Sequence, residues 1–376
     1  MIYLDNAATT YPKPRAVISE ISRSLITCGG NPGRAGHALS LASSGVVYDA
    51  RVGLCEFFGV KDERNAVFTK NDTEALCLSI FGLIPKNSKV ITTNIEHNSV
   101  RRPLEKLARE RGVIIHTLDA TKPDDALLSD FESAIDENTS ALVCLHASNI
   151  CPRVLPIKEL GALCRAHNIK FILDAAQSAG IYDIDVDGYG IDALCVPGHK
   201  GLFGPMGSGA VIFRDGFDFD AFEPLIFGGT GTYSRESDVG REPPESYESG
   251  TLSVPAIAGL AAGIKYVKSL GTGYIRAHDC ALYEMAKSGL LSLGATLYGD
   301  FCAGSVLSFS LDGIPDGDVD AYLSQNDICV RAGLHCAPTA HNALGCGDGS
   351  VRISFSPMNT ERDVKDFLRT LGKMRK

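Results

Sequence analysis

Gly198, His199, Lys200 and Gly201 follow directly on a short apolar run at residues 193–196. A lysine at the mouth of a strand, flanked by glycines and a histidine, can form an imine with an aldehyde. Burial and nearby cations would draw its pKa down toward the reactive free amine. An isolated GHK would otherwise read as a solvated turn. Four more polar features also lie just past apolar runs. Asp174 closes the run 170–173 and precedes Ala175, Ala176 and Gln177. A buried carboxylate needs a partner. A protonated pyridine nitrogen would serve, as would the amides of a helix capped by Asp174. The string Thr69-Lys70-Asn71-Asp72-Thr73-Glu74 leads into an apolar helical pattern, where amides and hydroxyls make either a phosphate site or an ordinary cap. His97, in IEHNS, could stack on a flat ring or be a plain loop histidine. Asn149, in HASN, could donate to a ring oxygen or cap the turn into Pro152. Taken in chain order they read phosphate cup, stacking histidine, amide, acid, amide, then His-Lys, and that order lifts each above its bland alternative.

Such residues need a scaffold that brings strand ends together. Between about residues 65 and 215, short β-branched runs (66–69, 89–93, 114–118, 141–146, 170–174, 193–196 and 210–213) alternate with helical apolar spacing at 73–83, 99–111 and 157–168. This alternation predicts an α/β fold with a mainly parallel sheet, whose sites gather at the carboxyl ends of the strands. Residues 227–251 form a polar, glycine-rich stretch, read as an extended hairpin or a functional loop. Helical patterns at 256–270 and 274–292 follow, then a second α+β stretch.

The chain has 376 residues, enough for two or three domains. No apolar run approaches a membrane span, and the first residues, MIYLDNAATTYP, lack a basic start and apolar core. With 36 basic and 45 acidic residues the net charge is −9, which argues against a nucleic-acid or anionic-membrane binder. Twelve cysteines are scattered without any CxxC, so a disulfide framework and a zinc ribbon are both poor fits and a reducing cytoplasm is expected.

From YLDNAATT at residues 3–10 to VRISFSPMNT at 351–360, the sequence resembles the cysteine desulfurase and selenocysteine lyase family of class V aminotransferase-like, fold-type I pyridoxal-phosphate enzymes. DAAQ, GHK with a following GPMGSG, and RAGLHCA at 331–337 carry the likeness, the last matching the short-loop subgroup. The resemblance implies a large cofactor domain (16–264) and a small domain made of 1–15 and 265–376. It implies that Lys200 is the Schiff-base lysine, that Asp174 pairs with the ring nitrogen, and that Gln177 and Asn149 sit near the ring hydroxyl. His97 would stack on the ring and belong to the catalytic set. Thr73 and His199 would hold phosphate with the amide of Asp72. Thr251, in ESGT, would reach the phosphate of a neighbouring subunit, implying a homodimer with shared sites. Arg352 would grip the substrate carboxylate, a task suited to a guanidinium fork. Asn6 and Ala7 would line the side by which substrate arrives, and Asn149 would also touch substrate. The implied reaction converts L-cysteine to alanine and passes sulfur to an acceptor protein or a reductant.

Cys336 is the thiol to which the resemblance gives a task, as nucleophile toward the substrate sulfur. The other cysteines are read as small buried hydrophobes, except Cys346 in GCGDG, a mobile thiol read as simply exposed rather than as a second sulfur carrier, and Cys151, which could approach the cofactor. A zinc site from His335, Cys336, His341 and Cys346 fits no common spacing, and no metal is expected. The glycines of 204–209 run into a strand, unlike a dinucleotide turn. Three departures bear on substrate: Pro197 where relatives carry a hydroxyl before GHK, Ile150-Cys151-Pro152 after Asn149, and GTLS at 250–253. Alternatives to the desulfurase are a selenocysteine lyase, a lyase or transaminase that leaves Cys336 idle, and a scaffold without cofactor.

Overall fold

The computed structural model describes residues 1–33, 35–231, 235–299, 301 and 304–374. The thirteen strands among these residues, in chain order, are β1 (Ile2–Tyr3), β2 (Ala66–Thr69), β3 (Lys89–Thr93), β4 (Ile114–Leu118), β5 (Thr139–Leu145), β6 (Lys170–Asp174), β7 (Ala193–Pro197), β8 (Gly209–Phe213), β9 (Ala295–Tyr298), β10 (Val306–Leu311), β11 (Ile328–Cys329), β12 (Arg331–Gly333) and β13 (Ser350–Ser354). Seven make one sheet in the order β2-β8-β7-β6-β5-β3-β4, with β8 alone antiparallel to its neighbours. The unbroken apolar runs of β7 and β8 follow from position, because both strands are buried along their whole length. A strand covered on both faces has no polar alternation to show. Leu142, Leu173, Leu194 and Ile212 enter one core, while Val143, Ile172, Ala193 and Val211 enter the other.

The crossover helices cover those faces and bring their N-termini to the strand ends. Asn71 accepts from the Glu74 amide at 2.9 Å and caps the helix Asp72–Leu83. His97 accepts from the Ser99 amide at 3.1 Å and caps Asn98–Arg111, which ends on Gly112 at φ 65°. That left-handed turn suits glycine.

A second, antiparallel sheet runs β12-β13-β10-β9. The helices Thr272–Ser292 and Glu361–Met374 pack Leu282, Leu290, Phe367 and Leu371 against it. β1 pairs in parallel with β11, and Asp5 bridges to Ser354, so the first residues join the last third of the chain. The boundary expected at 264/265 falls inside the uninterrupted helix Val254–Leu270. Its first three turns pack Val254, Ile257, Leu260 and Ile264 on the large-sheet core, and Val267 meets Phe203 and Ile275.

No hairpin forms among the described residues of 227–251, whose one regular piece is a 3-10 turn at Glu245–Tyr247; residues 232–234 lie outside the description. The end of this stretch is anchored by a buried ion pair between Glu248 and Arg51, and Glu248 also takes the Phe68 amide at 2.5 Å.

Candidate active site

The ends of β3, β5, β6 and β7 converge with two helix N-termini on a cavity of about 100 Å³. Asp72, Thr73, His97, Asn149, Asp174, Gln177, His199 and Lys200 all line it. Strand-end order in the sequence has become proximity in space.

Lys200 is the cation of this cavity. Burial pulls its pKa below the usual lysine value, opposed by Asp72 and Asp174. Asp174 accepts the Ala176 amide at 2.8 Å. Residues 176–178 form a turn with no helix directly behind it, so the capping alternative for Asp174 falls away. Burial raises the Asp174 carboxyl, while the Ala176 amide and Lys200 work against the rise. His97 does cap a helix, but its ring still faces the cavity; burial and the Lys200 charge push it down to about 4. His199 is held at about 4 by the same causes. Both rings are therefore neutral near pH 7.

Above the cavity lies the turn of Leu334, His335, Cys336 and Ala337. His335 and Cys336 stand at φ 48° and 58°, a left-handed conformation costly for side chains other than glycine. The surroundings impose it. Asn149 Nδ2 donates to the His335 carbonyl at 2.9 Å, and the Asn98 amide donates to the Cys336 carbonyl at 2.8 Å. The His335 and His341 rings lie 5.5 Å apart and both turn to Ser350. Cys336 is the one exposed thiol among the described cysteines. Burial raises the thiols of Cys55, Cys144, Cys151, Cys164 and Cys195, leaving them protonated packing groups.

Cys346 departs from expectation. It is buried, its thiol pushed up to about 12, and its amide donates to the His341 carbonyl at 2.9 Å. The helix Pro338–Leu344 folds it inward into the large-sheet core, a tertiary placement that flanking glycines do not reveal.

Arg352 is buried, donating from Nη1 to the Asn149 carbonyl at 3.1 Å and from Nη2 to Asp5 Oδ1 at 2.8 Å. Its Nε has no partner. Asn6 donates to Asn359 Oδ1 and to the Ser354 carbonyl, both at 3.0 Å, so its amide braces the small sheet. Gln177 Nε2 donates to the Ala7 carbonyl at 3.0 Å. Asn6 and Ala7 line a neighbouring cavity that also touches Lys200. Thr251 is not brought to the Lys200 cavity; it lies exposed in a groove with Lys70, Gly207 and Ser208.

Three site groups escaped the sequence reading. The Asp72 side chain joins Asp174 and Lys200, though only its amide was expected there. Asp5 holds Arg352 across 347 positions of chain. Glu96, next to His97, is buried and takes the Thr93 hydroxyl at 2.5 Å and the Leu145 amide at 3.0 Å. Adjacency to His97 was the one signal for Glu96; the other two had none.

The profile of the family "Aminotransferase class-V" matches residues 2–367. The chain belongs to the class-V aminotransferase family. Proteins named "Probable cysteine desulfurase" from Pyrococcus abyssi and from Methanothermobacter thermautotrophicus are each 33% identical to it, covering 100% and 99% of this chain and 94% of theirs. A solved cysteine desulfurase from Thermococcus onnurineus NA1 superposes with a TM-score of 0.92 at 34% identity, over 99% of this chain and 94% of that one. The family is generally dependent on pyridoxal phosphate, and the cavity suits such a ligand. Asp72 Oδ1, Asn149 Oδ1 and His199 Nδ1 are buried with no hydrogen-bond partner among the described residues. Each unpaired buried polar group costs about 1–3 kcal/mol, so a ligand rich in donors and acceptors is what this wall lacks. Among the described residues no helix is long and apolar enough to cross a membrane.

Proposed function

We propose that this chain is a pyridoxal-phosphate-dependent cysteine desulfurase that moves the sulfur of L-cysteine onto Cys336 and releases alanine. The observation that carries the reading is the exposed Cys336, on a turn held by Asn149 at the His335 carbonyl and by Asn98 at its own, beside the cavity that holds Lys200. Lys200 holds the cofactor, Asp174 faces its ring nitrogen, Asn149 and Gln177 its ring hydroxyl, His97 its ring face, and Thr73, His199 and the Asp72 amide its phosphate. When bound, the cofactor supplies an electron-poor ring that stabilises negative charge at the substrate's α-carbon.

The chain's own groups do the rest. Arg352 orients the substrate through its carboxylate, for which the unpartnered Nε and the Nη2 now on Asp5 provide the fork. Substrate must take this nitrogen from Asp5, so binding is an exchange of carboxylates rather than a new burial of charge. Lys200 Nζ, already biased by burial toward its neutral form, takes the α-proton. Asp174 keeps its negative charge beside the ring nitrogen, stabilised by the Ala176 amide. Neutral His97 shields the ring face without adding charge. The Cys336 thiolate then attacks the substrate sulfur. One S–S bond forms as the C–S bond breaks, and the electron pair stays with the three-carbon remainder, which gains protons and leaves as alanine. The Cys336 persulfide is exposed and can be drained by an acceptor protein or a thiol.

Thr251 completes a site on a second copy, making the working unit a homodimer. Replacing Cys336 with Ala tests the reading. Alanine formation from L-cysteine should fall by about 100-fold or more while the cofactor still binds. Unchanged alanine formation would assign the chemistry to a lyase that leaves Cys336 idle.

A further inference from the structure

Asp72 brings more than a backbone amide to the cavity. It opens the helix Asp72–Leu83, its carboxyl is buried beside Lys200 and within hydrogen-bond reach of the Asp174 carboxyl, and Oδ1 has no partner among the described residues. Among the described residues, Lys200, Asp72 and Asp174 are the only ones with a formal charge that line the cavity. Arg352 is committed to Asp5, and His97 and His199 are neutral. A bound phosphate monoester adds close to two negative charges. Three acidic groups would then share one lysine, and that lysine is the group that anchors the cofactor.

One of the acids must hold a proton, and Asp174 is the wrong one because the ring nitrogen requires its charge. The pull of the helix N-terminus on an anion is smaller than the cost of burying a second carboxylate against the first. Pro197, another wall residue, offers neither N–H nor hydroxyl to the phosphate. We infer that Asp72 acts in the loaded site as a neutral carboxylic acid that donates a hydrogen bond to the cofactor phosphate, an inference that rests on the cofactor assignment above. A carboxyl kept neutral by its surroundings can serve as a donor at neutral pH.

The groups facing Asp72 are Asp174 at the end of β6, Lys200 beyond β7, Cys195 on β7, and Cys77 on its own helix. Burial holds both thiols protonated, so the carboxyls and the lysine remain as the groups that titrate. Glu74, on the same helix, is turned to the Lys70 amide at 2.7 Å.

The test titrates cofactor-free protein with pyridoxal phosphate and, separately, with pyridoxal, following absorbance of the bound chromophore at several pH values. Between about pH 7 and about pH 9.5, wild-type affinity for pyridoxal phosphate should fall about tenfold or more beyond that of Asp72→Asn, since only the wild type can ionise there. Asp72→Ser keeps a donor that does not titrate and should follow Asp72→Asn, which guards against a folding defect in one variant. With pyridoxal, which uses the same lysine and lacks phosphate, wild type and variants should run in parallel. Parallel curves with pyridoxal phosphate, or an equal divergence with pyridoxal, would overturn the role of Asp72 and leave the cofactor assignment standing. Wild-type protein that takes up neither compound would overturn the assignment itself, and this inference with it.

Discussion

At the scale of the residue, the site is a set of charges whose surroundings decide which stay charged. Arg352 shows how narrow the tolerance is. Its fork is shared between Asp5, the Asn149 carbonyl and an open Nε, a planar arrangement that a lysine ammonium cannot reproduce. Arg352→Lys should raise the KM for cysteine by about tenfold to a hundredfold, the worth of one or two charged hydrogen bonds, with a smaller change in kcat. Glu96 provides a pH signature. Burial raises its carboxyl to about 8, so it is protonated in the folded chain at neutral pH while the unfolded chain has already lost that proton. Its stabilising contribution is complete below the unfolded pKa and declines as pH rises toward about 8. In urea melts, Glu96→Gln should therefore gain on wild type by up to a few kcal/mol between about pH 5 and about pH 8. A gap that stays constant with pH would show that Glu96 is ionised in the fold.

At the scale of the element, strand ends and helix starts hold the cavity, and one buried ion pair anchors the stretch that carries Thr251. Arg51 and Glu248 have almost no contact with solvent, and Glu248 also takes the Phe68 amide. Glu248→Ala would leave a buried guanidinium uncompensated and should cost about 3–5 kcal/mol, read as a lower urea midpoint. Arg51→Met with Glu248→Leu should recover much of that loss, because an apolar pair carries no desolvation penalty. This scale was the most legible in the sequence. β4 lies exposed at the sheet edge and was legible from its β-branched residues. The ends of β2, β3 and β6 fall where their apolar runs end, since buried strands tolerate polar residues only at their tips. Lys200 and Asp174 were visible for the same reason. Asp72, Asp5 and the burial of Cys346 were not, because each depends on a contact with an element distant in the chain. Length and glycine content left the stretch 227–251 open between a hairpin and a functional loop; in its described residues tertiary anchors rather than strand pairing shape it.

At the scale of the whole molecule, one chain leaves unfinished business on its surface. Ile18, Leu25 and Ile26 on the helix Arg15–Thr27, with Leu39, Leu41 and Tyr48 on Ala38–Phe57, are exposed apolar side chains on two adjoining helices. A patch of this kind fits the dimer interface that the proposed role of Thr251 requires. Ile26→Asp with Leu41→Asp should shift sedimentation toward the monomer and weaken cofactor binding together; a stable dimer with full affinity would place the interface elsewhere. The central claim is that sulfur passes through Cys336. Cofactor-loaded protein exposed briefly to L-cysteine, digested without reductant and weighed by mass spectrometry should carry one added sulfur atom on the peptide containing Cys336. Alanine formed while that peptide stays unmodified, or sulfur found on another cysteine instead, would contradict the account.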